Sequence, residues 1–262
     1  MRRRIGWRRG VPAIRAEAKG RLFDYLEGRA RRDAERREAE LRQRYALEPL
    51  HASSSRWDYR DNVGLADVLE RLLDGATYEP VSGVGSARLR VCDVGAKNWC
   101  YVFALQRVLR SWGGGEVDLL GVEIDGYPVY RDGYSRADWA EAYIAQVGGA
   151  TRYTVSDFRQ QQGEFDVVTI FYPFVTRYAL LRWGLPLHLY QPRAILDHAV
   201  ARLRPGGALI ALTQTDDECQ RVVQMASASG ARLVRSLSAA SDLVSYRARC
   251  ESRRAVLLRR EE

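Results

Sequence analysis

The stretch Arg88–Leu89–Arg90–Val91–Cys92–Asp93–Val94–Gly95–Ala96–Lys97–Asn98–Trp99 decides the reading of this chain. Its first half, Arg88–Val94, reads as a strand. Gly95 lets the backbone turn sharply and approach a ligand closely. A helix is expected at once, over Asn98–Trp112. Its first turn would offer unpaired N–H groups and a positive dipole end. Such an end suits a carboxylate.

Downstream, the same strand–helix alternation continues. Strands are expected at Val117–Ile124, Thr151–Val155, Phe165–Phe171, Ala208–Thr213, Ala231–Leu237 and Arg254–Arg259. Helices are expected at Arg136–Val147, Pro192–Leu203 and Asp216–Ser229, with Pro205–Gly206–Gly207 as a tight turn. The run Phe165–Phe171 is nearly all apolar, as in a strand buried on both faces. Alternation of this kind predicts an α/β fold: a seven-stranded, mostly parallel sheet with helices on both faces.

Upstream, residues 13–45 read as an exposed helix rich in Ala, Glu and Arg, with opposite charges three and four apart. Pro49 and Ser53–Ser54–Ser55 read as a linker, and Asp61 or Asn62 as the cap of a second helix. This divides the chain into a basic helical extension and linker, 1–56, and an α/β domain, 57–262. The net charge of +8 lies wholly in the extension, because residues 1–44 hold 15 basic and 7 acidic residues and the rest is balanced. Arg2, Arg3 and Arg4 open the chain without an apolar stretch behind them, so no secretory signal is read there. No apolar run spans a bilayer. Cys92, Cys100, Cys219 and Cys250 lack metal-ligand spacing with each other or with the three histidines. They read as free thiols of a cytoplasmic protein, with no metal site.

In an open α/β sheet, ligands bind beyond the carboxyl ends of the strands. Several strand ends here carry suggestive residues. The segment Asp93–Val94–Gly95–Ala96–Lys97 resembles the first motif of the class I, Rossmann-like methyltransferases that use S-adenosylmethionine (SAM). Asp93 and Gly95 match it, while Lys97 and Trp99 stand where that family usually has its second and third glycines. Glu123, followed by Ile124, ends the second strand where the family holds the ribose hydroxyls on a carboxylate. Ser156–Asp157–Phe158 follows the third strand, where the family contacts adenine. Phe171–Tyr172–Pro173–Phe174 ends the fourth strand like the family's fourth motif. Leu203–Arg204–Pro205–Gly206–Gly207 resembles the family's turn before the fifth strand.

The resemblance implies a SAM-dependent methyltransferase whose cofactor contacts are Asp93, Gly95, Ala96, Lys97, Glu123, Ile124, Asp157, Phe158 and Phe171. Where the family has glycine, Lys97 has two readings: its ammonium pairs with the cofactor carboxylate, or SAM binding is weakened or lost. Tyr172 and His188, with Tyr190 nearby, are the candidates to line the acceptor site and assist transfer. The acceptor is an unidentified small molecule or protein. One alternative is an RNA methyltransferase gripping phosphates with the basic residues 1–44. Another is a non-catalytic member of the fold whose first motif has changed.

Overall fold

The computed structural model describes residues 10–77, 88–244 and 252–261. Arg2–Arg4 and Cys250 lie outside the described residues. Among those described, no helix is long and apolar enough to cross a membrane.

The centre is a seven-stranded sheet of β1 (Arg88–Val94), β2 (Glu116–Glu123), β3 (Ala150–Val155), β4 (Phe165–Phe171), β5 (Leu203–Thr213), β6 (Ala231–Ser238) and β7 (Arg254–Arg260). The spatial order is β3-β2-β1-β4-β5-β7-β6. Strands β1 to β5 run parallel, and β7 enters antiparallel between β5 and β6. The expected fold class, including the strand count and the mostly parallel pairing, is therefore the one observed.

Alternation along each strand feeds two cores. Leu89, Val91, Leu119, Val167 and Ile210 face one side with α3 (Arg56–Leu73), α4 (Val102–Gly113) and α5 (Arg136–Val147). Cys92, Val94, Val122, Val168 and Leu209 face the other, with α7 (Pro192–Arg202) and α8 (Asp216–Ala228). Helix α5 starts where expected because Ser135 and Asp138 form a reciprocal capping box.

The N-terminal third differs from its expected form. Only α1 (Gly28–Arg44) of the predicted helix 13–45 is helical. Residues before it are laced to the body instead. The buried Lys19 ammonium donates to the carbonyls of Ser54 at 2.6 Å and Glu17 at 2.7 Å, and the Arg56 N–H donates to Glu17 at 2.9 Å. The expected linker contains a short helix, α2 (Glu48–Ser53), which takes Pro49 in its first turn. The cap of α3 is Ser55, whose hydroxyl accepts from the Asp58 N–H at 3.1 Å, so this helix begins before Asp61. Asn62 is buried mid-helix. It donates to the Cys100 carbonyl at 2.7 Å and accepts from the Ala104 N–H at 3.0 Å, tying α3 to α4.

Helix α1 is not a detached basic rod. Leu41 is fully buried in the α3–α4 side core, and Arg37 pairs with Asp67 and Glu70 of α3. Leu41→Ala should therefore cost about 2–5 kcal/mol of global stability, read as a lower urea midpoint at unchanged m-value. A change under about 0.5 kcal/mol would mean that α1 does not belong to the cooperative core.

Candidate functional site

Strand order reverses at β1, which has β2 on one side and β4 on the other. The crevice beyond their carboxyl ends is where such sheets bind ligands. A cross-sheet row lies just inside it: Tyr153, Gly121, Asp93 and Thr169 are successive register partners on β3, β2, β1 and β4.

Asp93 is completely buried in this row. Its carboxylate accepts from Trp99 Nε1 and the Tyr101 hydroxyl, each at 2.8 Å, and from the Thr169 hydroxyl. Burial pushes its carboxyl up to about 6, and these three donors pull it back only in part. The Trp99 indole is also fully buried and lies flat against Gly121. A Cβ at Gly121 would sit 2.8 Å from three atoms of the ring. The absent side chain of Gly121 is thus the space that Trp99 fills.

Above this wedge runs the turn 95–101. The predicted helix start at Asn98 is corrected: α4 begins at Val102, and the turn before it is irregular. Gly95, Lys97 and Trp99 have φ of +77°, +55° and +56°. The two side-chain-bearing residues therefore adopt left-handed backbone in the places where the resembled family has glycines, at a cost of about 1–2 kcal/mol each. The turn consumes its own donors. The Gly95 and Ala96 N–H groups both donate to the Val122 carbonyl, at 2.8 and 3.2 Å. The Lys97 N–H donates to one Glu123 oxygen at 2.8 Å, and the Asp125 N–H to the other at 2.7 Å. The buried Glu123 is pushed above its ordinary value by burial and held back by those two bonds. The Lys97 carbonyl accepts from the Tyr153 hydroxyl at 2.5 Å, so both faces of the turn are fixed.

The other candidates are placed as follows. Ile124 is exposed beside Glu123. Asp157 caps a short 3₁₀ turn, Phe158–Gln160, and pairs with Arg159, which holds its carboxyl below the usual range. Phe158 is buried edge-on to His198 at 5.0 Å. Phe171 packs on Tyr101 at 5.4 Å. Tyr172, at the end of β4, is exposed with φ +58°. His188 is exposed in the turn Leu187–Leu189, and Tyr190 donates its hydroxyl to the Val175 carbonyl at 2.9 Å. Asp93, Gly95, Ala96, Lys97 and Glu123 thus form one continuous cradle, with Tyr172 at the next strand end.

Besides Tyr153, sequence reading missed four participants. Thr169 and Tyr101 complete the ring around Asp93; Thr169 is a lone hydroxyl in the apolar run Val167–Phe171, a readable signal. Trp183, just after α6 (Arg177–Arg182), carries the Lys97 ammonium over its ring at 5.0 Å and the Arg136 guanidinium at 5.3 Å. Arg136 is itself fixed to the Asp125 carboxylate at 3.0 Å. Nothing in the pattern of residues 177–183 announces that contact.

The antiparallel β7 inserted beside β5 distinguishes this sheet from the nucleotide-binding folds built of parallel strands alone. The chain has the fold of the class I, Rossmann-like methyltransferases. No family profile and no curated protein matches the sequence. Among solved structures, this methyltransferase fold is similar to magnesium protoporphyrin IX methyltransferase from Synechocystis, solved with bound SAM. The two are 15% identical over 94% of this chain and 98% of that one, with a TM-score of 0.48. It is also similar to the N-methyltransferase NodS from Bradyrhizobium japonicum, at 12% identity over 78% and 97% of the chains, TM-score 0.49. TrmN from Thermus thermophilus is 22% identical over 76% of this chain, with a TM-score of 0.47, and the chain spans 48% of its length.

The cradle keeps open space and unused acceptor positions. A Cβ at Gly95 would meet nothing within 4 Å, so the turn opens onto free space. Each Glu123 oxygen accepts one N–H and keeps a second acceptor position for a hydroxyl.

Two measurements check the wedge. Gly121→Ala should destabilise by about 1–3 kcal/mol through overpacking against Trp99, and the double variant with Trp99→Phe should cost less than the sum of the two single changes. Chemical denaturation that leaves Gly121→Ala as stable as wild type contradicts the contact. Asp93 ionises less readily folded than unfolded, so its contribution is full below its ordinary value of 3.8 and is lost as pH rises through about 6. Wild type should therefore lose stability relative to Asp93→Asn between those pH values and run parallel to it above them.

Proposed function

We propose that the chain is a SAM-dependent methyltransferase acting on a small molecule or protein, with 57–262 as the methyl-transfer domain and 1–56 as an extension packed on it. The observation that carries this reading is the meeting of the Gly95–Lys97 turn and Glu123 across the ends of β1 and β2, at the point where strand order reverses.

Each residue then has a task. Glu123 accepts the two ribose hydroxyls through its remaining acceptor positions, a charge-assisted arrangement. Gly95 and Ala96 supply a side-chain-poor floor. Their N–H groups are committed to Val122, and the Lys97 ammonium at the mouth of the turn is suited to a carboxylate. Ile124 and Phe158 flank the base apolarly. Asp157 is the acceptor for an exocyclic amine, once Arg159 yields one of its bonds. Phe171 closes the floor through Tyr101. When bound, SAM supplies an activated methyl on a good leaving group.

Positioning the acceptor in line is then the main catalytic requirement. Tyr172 is the residue placed for it. A bulky side chain in left-handed backbone is strained, and such strain gathers at functional positions. His188 and Tyr190 border the same segment, with His188 free to take a proton where the acceptor must lose one. The chain is read as cytoplasmic, where Cys92, Cys100 and Cys219 stay as the free thiols they are.

RNA as acceptor draws less support. In α1 and its approach, Arg21, Arg29, Arg31, Arg36, Arg37, Arg42 and Arg44 are all engaged by carboxylates of this chain.

Calorimetric titration of the full chain with SAM tests the reading. A micromolar-range Kd is expected, and no binding at millimolar SAM would overturn it. Glu123→Ala should weaken SAM by about tenfold or more, the worth of a charge-assisted hydrogen bond. Lys97→Ala should also cost affinity, and Lys97→Gly should not restore it.

A further inference from the structure

A second cavity lies at the opposite end of the sheet from the crevice. It holds about 530 Å3 between the end of α1 and the turn that leads from α4 into β2. Its wall brings together Arg44, Arg107, Arg110, Ser111, Gly114 and Gly115, with Tyr45 and Glu116 at its edges. That volume lies in the range of small-ligand sites.

The charge inside is unbalanced. Arg107 and Arg110 stand three apart on α4, where like charges repel. Among the described residues neither has a carboxylate in ion-pair contact. Glu116, the acid of the wall, is held by Arg88 at 2.7 Å, though its charge also reaches Arg110. Arg44 is engaged by Glu70. Burial, and after it the neighbouring Arg110, presses Arg107 below the ordinary arginine value. Among the described residues its Nε is buried without a hydrogen-bond partner, while its guanidinium stacks on Phe103 at 5.1 Å. Stability alone gives no reason to crowd these groups. Both α4 and α1 end here, and a single arginine in each last turn would answer the helix dipole.

The other wall is main chain. A Cβ at Gly114 would meet nothing within 4 Å, so the backbone here is open to a ligand. Ser111 adds a hydroxyl. Guanidinium forks, an orphaned N–H and a hydroxyl together match phosphate oxygens.

We propose that this cavity is an anion site for a phosphate-bearing ligand carrying more than one negative charge, with Arg107 and Arg110 as its principal contacts. The site is separate from the SAM cradle and does not depend on the methyl-transfer reading. The same chemistry is offered by a free polyphosphate chain and by the phosphodiester backbone of a single-stranded RNA.

Titration of the full chain at low salt, with sodium tripolyphosphate in one arm and a short single-stranded oligoribonucleotide in the other, tests it. Saturable tripolyphosphate binding is expected, with affinity falling as salt rises. Arg110→Glu, at an exposed position, should weaken binding by about tenfold or more, the worth of a charge-assisted hydrogen bond. Arg107→Gln should weaken it similarly while keeping the stem that packs on Phe103. The SAM affinity of both variants should match wild type. Oligoribonucleotide binding displaced by tripolyphosphate, and lost in the variants, would assign the site to a phosphodiester. Tripolyphosphate binding alone would assign it to a free polyphosphate. No saturable binding of either probe, or wild-type affinity in both variants, would overturn the proposal.

Discussion

The indole of Trp99, wedged between Asp93 and Gly121, is the contact on which the rest of the site depends. It fixes three things together. It supplies a donor to a carboxylate that would otherwise be buried at a cost of several kcal/mol. It fills the space opened by a side-chain-free position on β2. It also sets the height of the turn above it, and so the place where Lys97 meets Glu123. In the resembled family, glycine in the turn allows close approach of turn and sheet. Here the glycine sits on the strand and the bulk sits in the turn. The missing side chain of Gly121 is what admits the Trp99 ring beneath the turn.

Much of this architecture could be read from residues alone. The strand β4 and the helix α5 fall where the pattern places them: β4 is a nearly all-apolar run, and α5 carries Ala137, Ala140, Tyr143 and Ile144 at helical spacing. The N-terminal third was less legible. A charged, alanine-rich stretch reads as helix from Ala13 onward, but Lys19 finds carbonyl partners on Glu17 and Ser54 that a continuous helix would deny it. Tertiary contacts outweighed local propensity there. The start of α3 went unread for a related reason. Ser55 sits inside a serine cluster that looks like a linker, while the buried Asn62 looks like a cap from its residue type alone.

The candidate site shows the same division. Strand-end residues such as Asp93 and Glu123 are legible because sheet topology dictates where they emerge. Residues that reach the site from elsewhere are not. Trp183 lies 84 positions from Trp99 along the sequence, yet it carries the ammonium of Lys97 over its ring. No spacing rule links a loop indole to a distant turn. The same holds for Tyr153, whose hydroxyl reaches the Lys97 carbonyl from a neighbouring strand.

The Gly95, Ala96 and Lys97 N–H groups of the turn are spent on the sheet and on Glu123, and that of Trp99 on the Ala96 carbonyl. The shape of the turn is therefore set before any ligand arrives. Binding then requires little ordering of the loop, so the entropy that a flexible glycine-rich cradle loses on each encounter is largely lost here once, during folding. The cradle trades adaptability for preorganisation, and discrimination among ligands passes to the few side chains at its rim.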